Sequence, residues 1–277
     1  MLIMAGAPLG NIGDATERLK ESIASVPFIA AEDSRRFARL CQDLGIQHRA
    51  KVISFFEGNE TERLDSLLEI LKSGQDLLVI TDAGMPGVSD PGYRLIAAAI
   101  ENEIEVKVIP GASAVTTALL LSGLPTDRFS FEGFAPRTSG TRKSWFEKLK
   151  GEERTWIYFE APHRLEESLS DLVEVMPDRR IAVCREMTKT YEETFRGTSM
   201  QALAWARSKE ILGEITVVVA GFNPASLEYS NEFLIDEVMR RERAGEDRKD
   251  AIAAVAKQFG LQKRVVFDAI VQAKIRP

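Results

Sequence analysis

Over the first 110 residues, short apolar runs alternate with segments whose apolar positions recur at helical spacing. In the first of these segments, Leu19, Ile23 and Val26 mark one buried stripe. The run Leu77–Ile80 is apolar throughout, which is typical of a strand in a parallel sheet covered on both faces. The alternation predicts a doubly wound α/β domain over residues 1–111. Its predicted strands are Leu2–Met4, Phe28–Ala31, Val52–Phe55, Leu77–Ile80 and Val106–Ile109.

A second set of strands and helices follows the Pro110-Gly111 joint, and it predicts a second α/β domain over residues 112–224 with some antiparallel content. Leu165–Val175 is its clearest helix. Its predicted strands are Phe129–Phe134, Trp156–Phe159, Ile181–Cys184 and Ile215–Ala220.

Residues 225–277 carry only helical periodicity and predict a small helical domain. Within Arg248–Val271, two short amphipathic segments are joined at Gly260-Leu261, a pattern typical of a helix-turn-helix. The alternative is an αα-hairpin that packs on the body or on a second subunit. RNA binding by these helices therefore stays open.

Composition limits the class of protein. The chain has 277 residues, a net charge of −6 and 44% hydrophobic residues, which excludes disorder as its main character. No apolar run approaches the roughly 18 residues of a membrane span, and the N-terminus lacks the basic and apolar regions of a signal peptide. With two cysteines and two histidines, neither a disulfide scaffold nor a metal site is expected. We expect a cytoplasmic protein.

Three loops rich in Gly and Pro follow predicted strands, at residues 6–14, 81–93 and 110–114. In open α/β sheets, ligands bind outside the carboxyl ends of the strands. Neither a P-loop nor the dinucleotide spacing of glycines occurs, so a phosphate-binding function is only weakly indicated. The second loop, with three glycines and two prolines, favours a shaped binding loop; Asp90 and Pro91 within it are predicted to begin a helix as N-cap and N1.

Polar clusters also follow strands, at residues 32–36, 160–164 and 185–189. Carboxylate, arginine and lysine side chains at strand ends can position a polar substrate and move a proton. Each cluster alone is explained equally well by surface ion pairs. Between Arg137 and Lys150, basic residues surround Trp145 and Phe146, which indicates either phosphate and base contacts or a solvated amphipathic helix.

Taken in order, six segments resemble the ribosomal RNA small subunit methyltransferase I family of the tetrapyrrole-methylase superfamily. They are AGAPLGNIGD, AAEDSRR, TDAGMPGVSDPGYR, IPGASAVTTALLLSGLPTDRFSFEGFAPR, YFEAPHR and REMTKTYEETFRGT. The resemblance runs from residue 4 to about residue 221. Two departures are mild, since Ala7 and Met85 stand where the family has threonine.

The resemblance implies S-adenosylmethionine-dependent methylation of the ribose 2′-hydroxyl of a cytidine in the decoding region of 16S ribosomal RNA. It implies a cofactor cleft between the two α/β domains, the small ribosomal subunit as partner and a homodimer. The cofactor-binding positions that it carries over are Pro8, Leu9, Asp82, Ala83, Gly84, Met85, Val88, Ser113, Ala114, Glu160, Ala161 and Met187.

For the chemistry, we hypothesise that Lys189 or Glu160 removes the hydroxyl proton, with Asp33 and Glu186 tuning the charge. Lys189 could act as a base only if its pKa were depressed. The candidate RNA-binding residues are Arg35, Arg36, Arg137, Arg142, Lys143 and Arg164.

Two other functions stay open. A tetrapyrrole methylase of the same superfamily would have no use for the terminal helices or the basic stretch. A non-catalytic ribosome-assembly factor would need no glycine-rich loops and would not bind the cofactor.

Overall fold

The computed structural model describes residues 1–223, 231–259 and 261–275. Met1–Ala220 and Gly221–Pro277 form two compact units, called here the body and the helical unit. Among the described residues, none of the helices combines the length and apolar character needed to cross a membrane. The further division of the body at residue 111 stays a prediction.

The body begins with a five-stranded parallel sheet, as predicted. Strands β1 and β4 lie side by side near its middle, and the order is β3-β2-β4-β1-β5. Separate apolar clusters cover the two faces of this sheet, which explains why β4 is apolar throughout. The elements are β1 Leu2–Ala5, α1 Glu17–Ser25, β2 Phe28–Ala31, α2 Ser34–Leu44, β3 Lys51–Ser54, α3 Glu60–Lys72, β4 Leu77–Ile80, α4 Tyr93–Glu101 and β5 Val106–Ile109.

A second, mixed sheet of order β6-β7-β10-β8-β9 completes the body. Strands β6 and β7 are parallel, and the other pairs are antiparallel. Helix α5 packs on one face of this sheet through Val115, Ala118 and Leu119. The elements are α5 Ala114–Ser122, β6 Phe129–Phe134, α6 Ser139–Leu149, β7 Thr155–Glu160, α7 Leu165–Val175, β8 Arg180–Arg185, β9 Glu193–Thr198, α8 Ser199–Arg207 and β10 Ile215–Val219.

The helical unit contains α9 Asn231–Arg243, α10 Arg248–Gln258 and α11 Lys263–Ile275. Its three helices share one small apolar core, to which Leu234, Val255 and Val266 contribute. The two predicted helices are present as α10 and α11, whereas Gly260 between them and residues 225–230 lie outside the described residues. Whether the unit binds RNA stays a prediction.

Candidate active site

The three glycine-rich loops lie together at the carboxyl ends of β1, β4 and β5. Ala7 and Gly84 exchange backbone hydrogen bonds of 2.8 and 3.1 Å, which joins the first loop to the second. The first and third loops touch at Gly6 and Gly111, where a Cβ on Gly6 would lie 2.7 Å from the Gly111 Cα. The glycines therefore allow the backbones of these loops to approach each other closely. The three loops together form a single surface, called here the floor of the cavity.

A cavity of about 340 Å³ opens above this floor, within the range of about 300–1,000 Å³ typical of small-molecule sites. It lies between the loops of the first sheet and residues of β7, β10 and the segment after β8. Of the positions carried over for cofactor binding, Pro8 does not line it. The others do: Leu9, Asp82, Ala83, Gly84, Met85, Val88, Ser113, Ala114, Glu160, Ala161 and Met187.

Lys189 does not line the cavity. Its ammonium group bonds Glu186 Oε1 at 2.9 Å and Glu214 Oε2 at 3.1 Å. Burial alone would lower the Lys189 pKa, but these two carboxylates outweigh it and raise the pKa above its usual value. A lysine base requires a depressed pKa, and these two ion pairs shift the Lys189 pKa the other way, so the structure does not favour this role for Lys189.

Instead, Lys189 belongs to a contact between the first loop and the segment after β8. A Cβ on Gly10 would meet Lys189 Cγ at 2.2 Å, and the Asn11 N–H donates to Thr188 Oγ1 at 3.2 Å. Thr188 and Glu186 both adopt positive φ, of 65° and 50°. Such backbone strain in two non-glycine residues is retained where surrounding contacts fix it. Glu186 likewise lies outside the cavity lining.

Asp33 caps helix α2, a role that fits the sequence position next to Ser34. Its side chain accepts hydrogen bonds from the backbone N–H groups of Arg35 and Arg36. The hydrogen bond from the Arg35 side chain is the main reason that the Asp33 pKa falls to about 2. Asp33 does not line the cavity, so we assign it to the architecture of α2.

Glu32 and Asp82 cross-link the ends of the neighbouring strands β2 and β4. The Asp82 N–H donates to Glu32 Oε2 at 3.0 Å, and the Asp33 N–H donates to Asp82 Oδ1 at 3.2 Å. Arg36 pairs with Asp82 Oδ2 at 3.1 Å. Burial raises the pKa of both Glu32 and Asp82 despite these bonds. Arg36, predicted to contact RNA, therefore lies in the cavity wall.

Asp90 is a candidate site residue that the sequence reasoning missed. Helix α4 begins at Tyr93 with Gly92 as its N-cap, so Asp90 is not the cap that its Asp-Pro context predicts. It lines the cavity, and no hydrogen bond from a described residue holds its carboxylate. Burial is the largest reason that its pKa rises to about 7, and the charges of Glu32, Asp82 and Glu214 raise it further. Such a carboxylate can exchange a proton near neutral pH.

Glu160 ends β7 with its side chain fully buried against the cavity. Its Oε1 forms an ion pair with Arg164 at 2.6 Å and accepts a hydrogen bond from the Ala161 N–H at 2.9 Å. Its Oε2 has no hydrogen-bond partner among the described residues. A buried acceptor of this kind is stabilised by a ligand that donates to it. Arg164, predicted to bind RNA phosphate, is thus committed to Glu160.

Arg142 is buried, which contradicts its assignment to RNA binding. Its side chain is 0% exposed and pairs with Asp171 at 2.6 Å. It also donates to the carbonyl groups of Pro136 and Arg137, at 3.2 and 3.4 Å. Lys143 beside it is partly exposed but pairs with Glu174 at 2.7 Å. Arg137 is exposed and makes no ion pair within the described part of the chain, so it stays an RNA-binding candidate, as does the exposed Arg35.

Residues 1–203 match the family model of the tetrapyrrole (corrin/porphyrin) methylases. The fold is also that of the methyltransferase CobJ, whose crystal structure aligns with a TM-score of 0.61 at 18% identity, covering 79% of this chain and 93% of that one. This likeness establishes the fold.

Two similar relatives are each named "Ribosomal RNA small subunit methyltransferase I". The one from Mycobacterium tuberculosis is 44% identical over 99% of this chain and 95% of its own length. The one from Thermotoga maritima is 41% identical over 79% of this chain and 98% of its own length. The chain belongs to the tetrapyrrole methylases and, within them, to the ribosomal RNA small subunit methyltransferase I family.

The cofactor of this family, S-adenosylmethionine, fits the cavity in charge as well as in size. Among the described residues, five carboxylates and the single cation Arg36 line the cavity, which suits a ligand with a positively charged sulfur. The free Glu160 Oε2 can accept from an amino or hydroxyl group of such a ligand. The five carboxylates are those of Glu32, Asp82, Asp90, Glu160 and Glu214.

Proposed function

We propose that this protein methylates the ribose 2′-hydroxyl of a cytidine in the decoding region of small-subunit ribosomal RNA. The observation that carries the proposal is the free Asp90 carboxylate in the cavity, in a chain whose relatives carry a ribosomal RNA methyltransferase name. The choice of cytidine rests on the family resemblance alone. A homodimer acting in the cytoplasm on the small subunit is part of the same proposal.

The side chains that line the cavity suit methyl transfer to an oxygen atom better than methyl transfer to a carbon atom. A ribose hydroxyl needs a base, whereas pyrimidine carbons are commonly activated by a nucleophile such as a cysteine thiolate. Burial raises the pKa of both Cys41 and Cys184 to about 11, and neither residue lines the cavity. Asp90, with a pKa of about 7, supplies the base instead.

The residues then divide the work. When bound, S-adenosylmethionine supplies an electrophilic methyl group on a sulfonium. The glycine-rich floor and Glu160 would orient the cofactor. Asp90 would accept the proton that the hydroxyl loses as the new oxygen–carbon bond forms and the sulfur–methyl bond breaks, with the electron pair of that bond left on the sulfur of a neutral thioether. Holding the reacting atoms in line contributes much of the acceleration of such a displacement. Because carboxylates dominate the cavity, we expect the RNA phosphates to remain outside it.

The test is transfer of labelled methyl from S-adenosylmethionine to small ribosomal subunits that lack the modification, followed by digestion to nucleosides. We expect the label in 2′-O-methylcytidine, and we expect Asp90→Asn to abolish it. Label in another nucleoside, or on a base, contradicts the position. Label only in a tetrapyrrole offered in parallel supports the alternative methylase, and no label with no cofactor binding supports the assembly factor.

A further inference from the structure

Phe134 places an exposed aromatic ring at the cavity. Its side chain lines the cavity, yet the residue is 57% exposed. Its ring meets that of Phe159 at 5.5 Å and 68°, and Phe159 in turn meets Phe131 at 4.8 Å. The three rings form a continuous aromatic series from the core of the second sheet to solvent at the cavity. An isolated exposed phenylalanine needs no explanation, but a supported ring at a cavity does.

A bulge in β6 builds this arrangement. The register against β7 shifts between Phe131 and Phe134, and Gly133 within the shift has φ +73°. Regular alternation would turn residue 134 to the face opposite residue 131, whereas the extra residue brings both rings against Phe159. The Ala135 N–H then donates to the Phe159 carbonyl at 3.1 Å and fixes the strand end. The ring is held in place by backbone geometry.

We propose that Phe134 is the surface on which the nucleobase of the acceptor nucleotide stacks. This inference rests on the proposed function. The bulge lies near Asp90, the proposed general base. A Cβ on Gly133 would lie 4.0 Å from Ser89 Oγ, and Ser89 directly precedes Asp90. When the ribose of the acceptor nucleotide lies against Asp90, the attached nucleobase lies beside it, where it can stack on the exposed ring of Phe134.

The loop after Phe134 carries a cation suited to the same nucleotide. Arg137 is exposed and free of ion pairs with the described residues, three positions beyond Phe134. The buried Arg142 side chain donates hydrogen bonds to the carbonyl groups of residues 136 and 137, and these bonds fix the position of this loop. A base on Phe134 and a phosphate near Arg137 would keep the phosphate charge away from the carboxylates of the cavity.

The test compares Phe134→Ala, Phe134→Leu and Phe134→Tyr in the full chain, with Phe129→Ala as a matched control. Phe129 is a 39% exposed phenylalanine on the same strand that does not line the cavity. The substrates are unmodified small subunits and S-adenosylmethionine. Loss of one stacking contact predicts a roughly 5- to 150-fold fall in kcat/KM for subunits in the Ala and Leu variants, with recovery in the Tyr variant. The control stays within about twofold of wild type.

Cofactor affinity, measured by calorimetry, distinguishes the two possible stacking partners. We expect the S-adenosylmethionine Kd of every Phe134 variant to stay within about twofold of wild type. A loss of cofactor affinity that matches the loss of kcat/KM would mean that the ring stacks on the cofactor's adenine, and it overturns the inference. A Leu variant as active as wild type also overturns it. A wild-type enzyme that transfers no methyl to ribose overturns the proposed function itself.

Discussion

The body and the helical unit differ in how their charged groups are used. In the body, carboxylates converge on one cavity and leave Asp90 and Glu160 Oε2 available to a ligand. In the helical unit, arginines on the surface pair with nearby glutamates, as in Arg240–Glu237, Arg241–Glu246 and Arg248–Glu242. Cations already paired in this way contribute less to phosphate binding than free ones. We therefore expect the chemistry to take place in the body.

The length of the Thermotoga maritima relative bears on the helical unit. It matches 79% of this chain with 98% of its own length, so about a fifth of this chain has no counterpart there. Residues 221–277 account for a segment of that size. We predict that the helical unit assists substrate binding rather than catalysis, and the predictions below test the body and the helical unit in turn.

The largest effect is expected from Asp90→Asn. Removing the base should lower kcat on small subunits by about 10²- to 10⁴-fold with an unchanged cofactor Kd. Asp65→Asn, on the exposed side of α3, is the matched control and should retain full activity. Near-normal turnover by Asp90→Asn would contradict the proposal that Asp90 is the general base.

The same base predicts the pH dependence. Asp90 must be ionised to act, so kcat/KM should fall tenfold per unit as the pH drops below about 7, and should level off above it. Glu32→Gln removes one of the negative charges that raise the Asp90 pKa, and should move this limb to lower pH. If kcat/KM of the Glu32→Gln variant falls at the same pH as that of the wild type, a group other than Asp90 controls the pH dependence.

Breaking the buried pair of Arg142 and Asp171 should destabilise the body. Arg142→Ala leaves a buried carboxylate without its partner, which costs about 3–5 kcal/mol in the free energy of unfolding. Urea unfolding followed by tryptophan fluorescence reports on the body, because Trp145, Trp156 and Trp205 all lie there. Lys143→Ala, which removes a partly exposed partner of Glu174, should cost less than about 1 kcal/mol.

Removing the helical unit is expected to have a moderate effect. A chain that ends at residue 223 should keep kcat within a few-fold and raise the KM for small subunits by roughly tenfold, equivalent to about 1.4 kcal/mol of binding. Its cofactor Kd should not change. Loss of kcat in a folded truncated chain would show that the helical unit takes part in the chemistry.

The smallest effect is expected from Lys189→Met, which keeps the side-chain stem against Gly10 and removes the charge. Because Lys189 does not line the cavity and its ammonium only pairs with Glu186 and Glu214, its loss should lower kcat/KM only a few-fold. Leaving Glu214 unpaired adds negative charge near Asp90, so the pH limb should move slightly to higher pH. A loss as large as that of Asp90→Asn would restore Lys189 as a candidate base.

The sequence predicted the fold well because most elements carry their own periodicity. The five parallel strands and helix α7 follow directly from apolar patterns, and Gly45 ends α2 in a left-handed conformation. Strand β9 was missed because Glu193–Thr198 has no apolar alternation; it pairs with β8 at the sheet edge. The predicted helix start also shifted by two residues at α4, whose N-cap is Gly92 in place of the expected Asp90.

The site was predicted by location rather than by role. Strand ends and family motifs place Asp82, Glu160 and Met187 at one cavity. Roles depend on burial and partners, which periodicity does not encode: Arg142 looks like a surface cation in sequence but lies in the core. Asp90 looks like a helix cap in sequence, and only its burial and its acidic neighbours in space make it a candidate proton acceptor.

The contact between Gly6 and Gly111 has a consequence for engineering this enzyme. No side chain fits at either position, because even a methyl group would lie within 3 Å of the opposing backbone. A substitution in the first loop therefore displaces the third, so the floor of the cavity tolerates change only in several loops at once. Residue 134, with open solvent on one side, can be exchanged singly. Attempts to redirect the enzyme to a new acceptor should start at this rim and leave the floor intact.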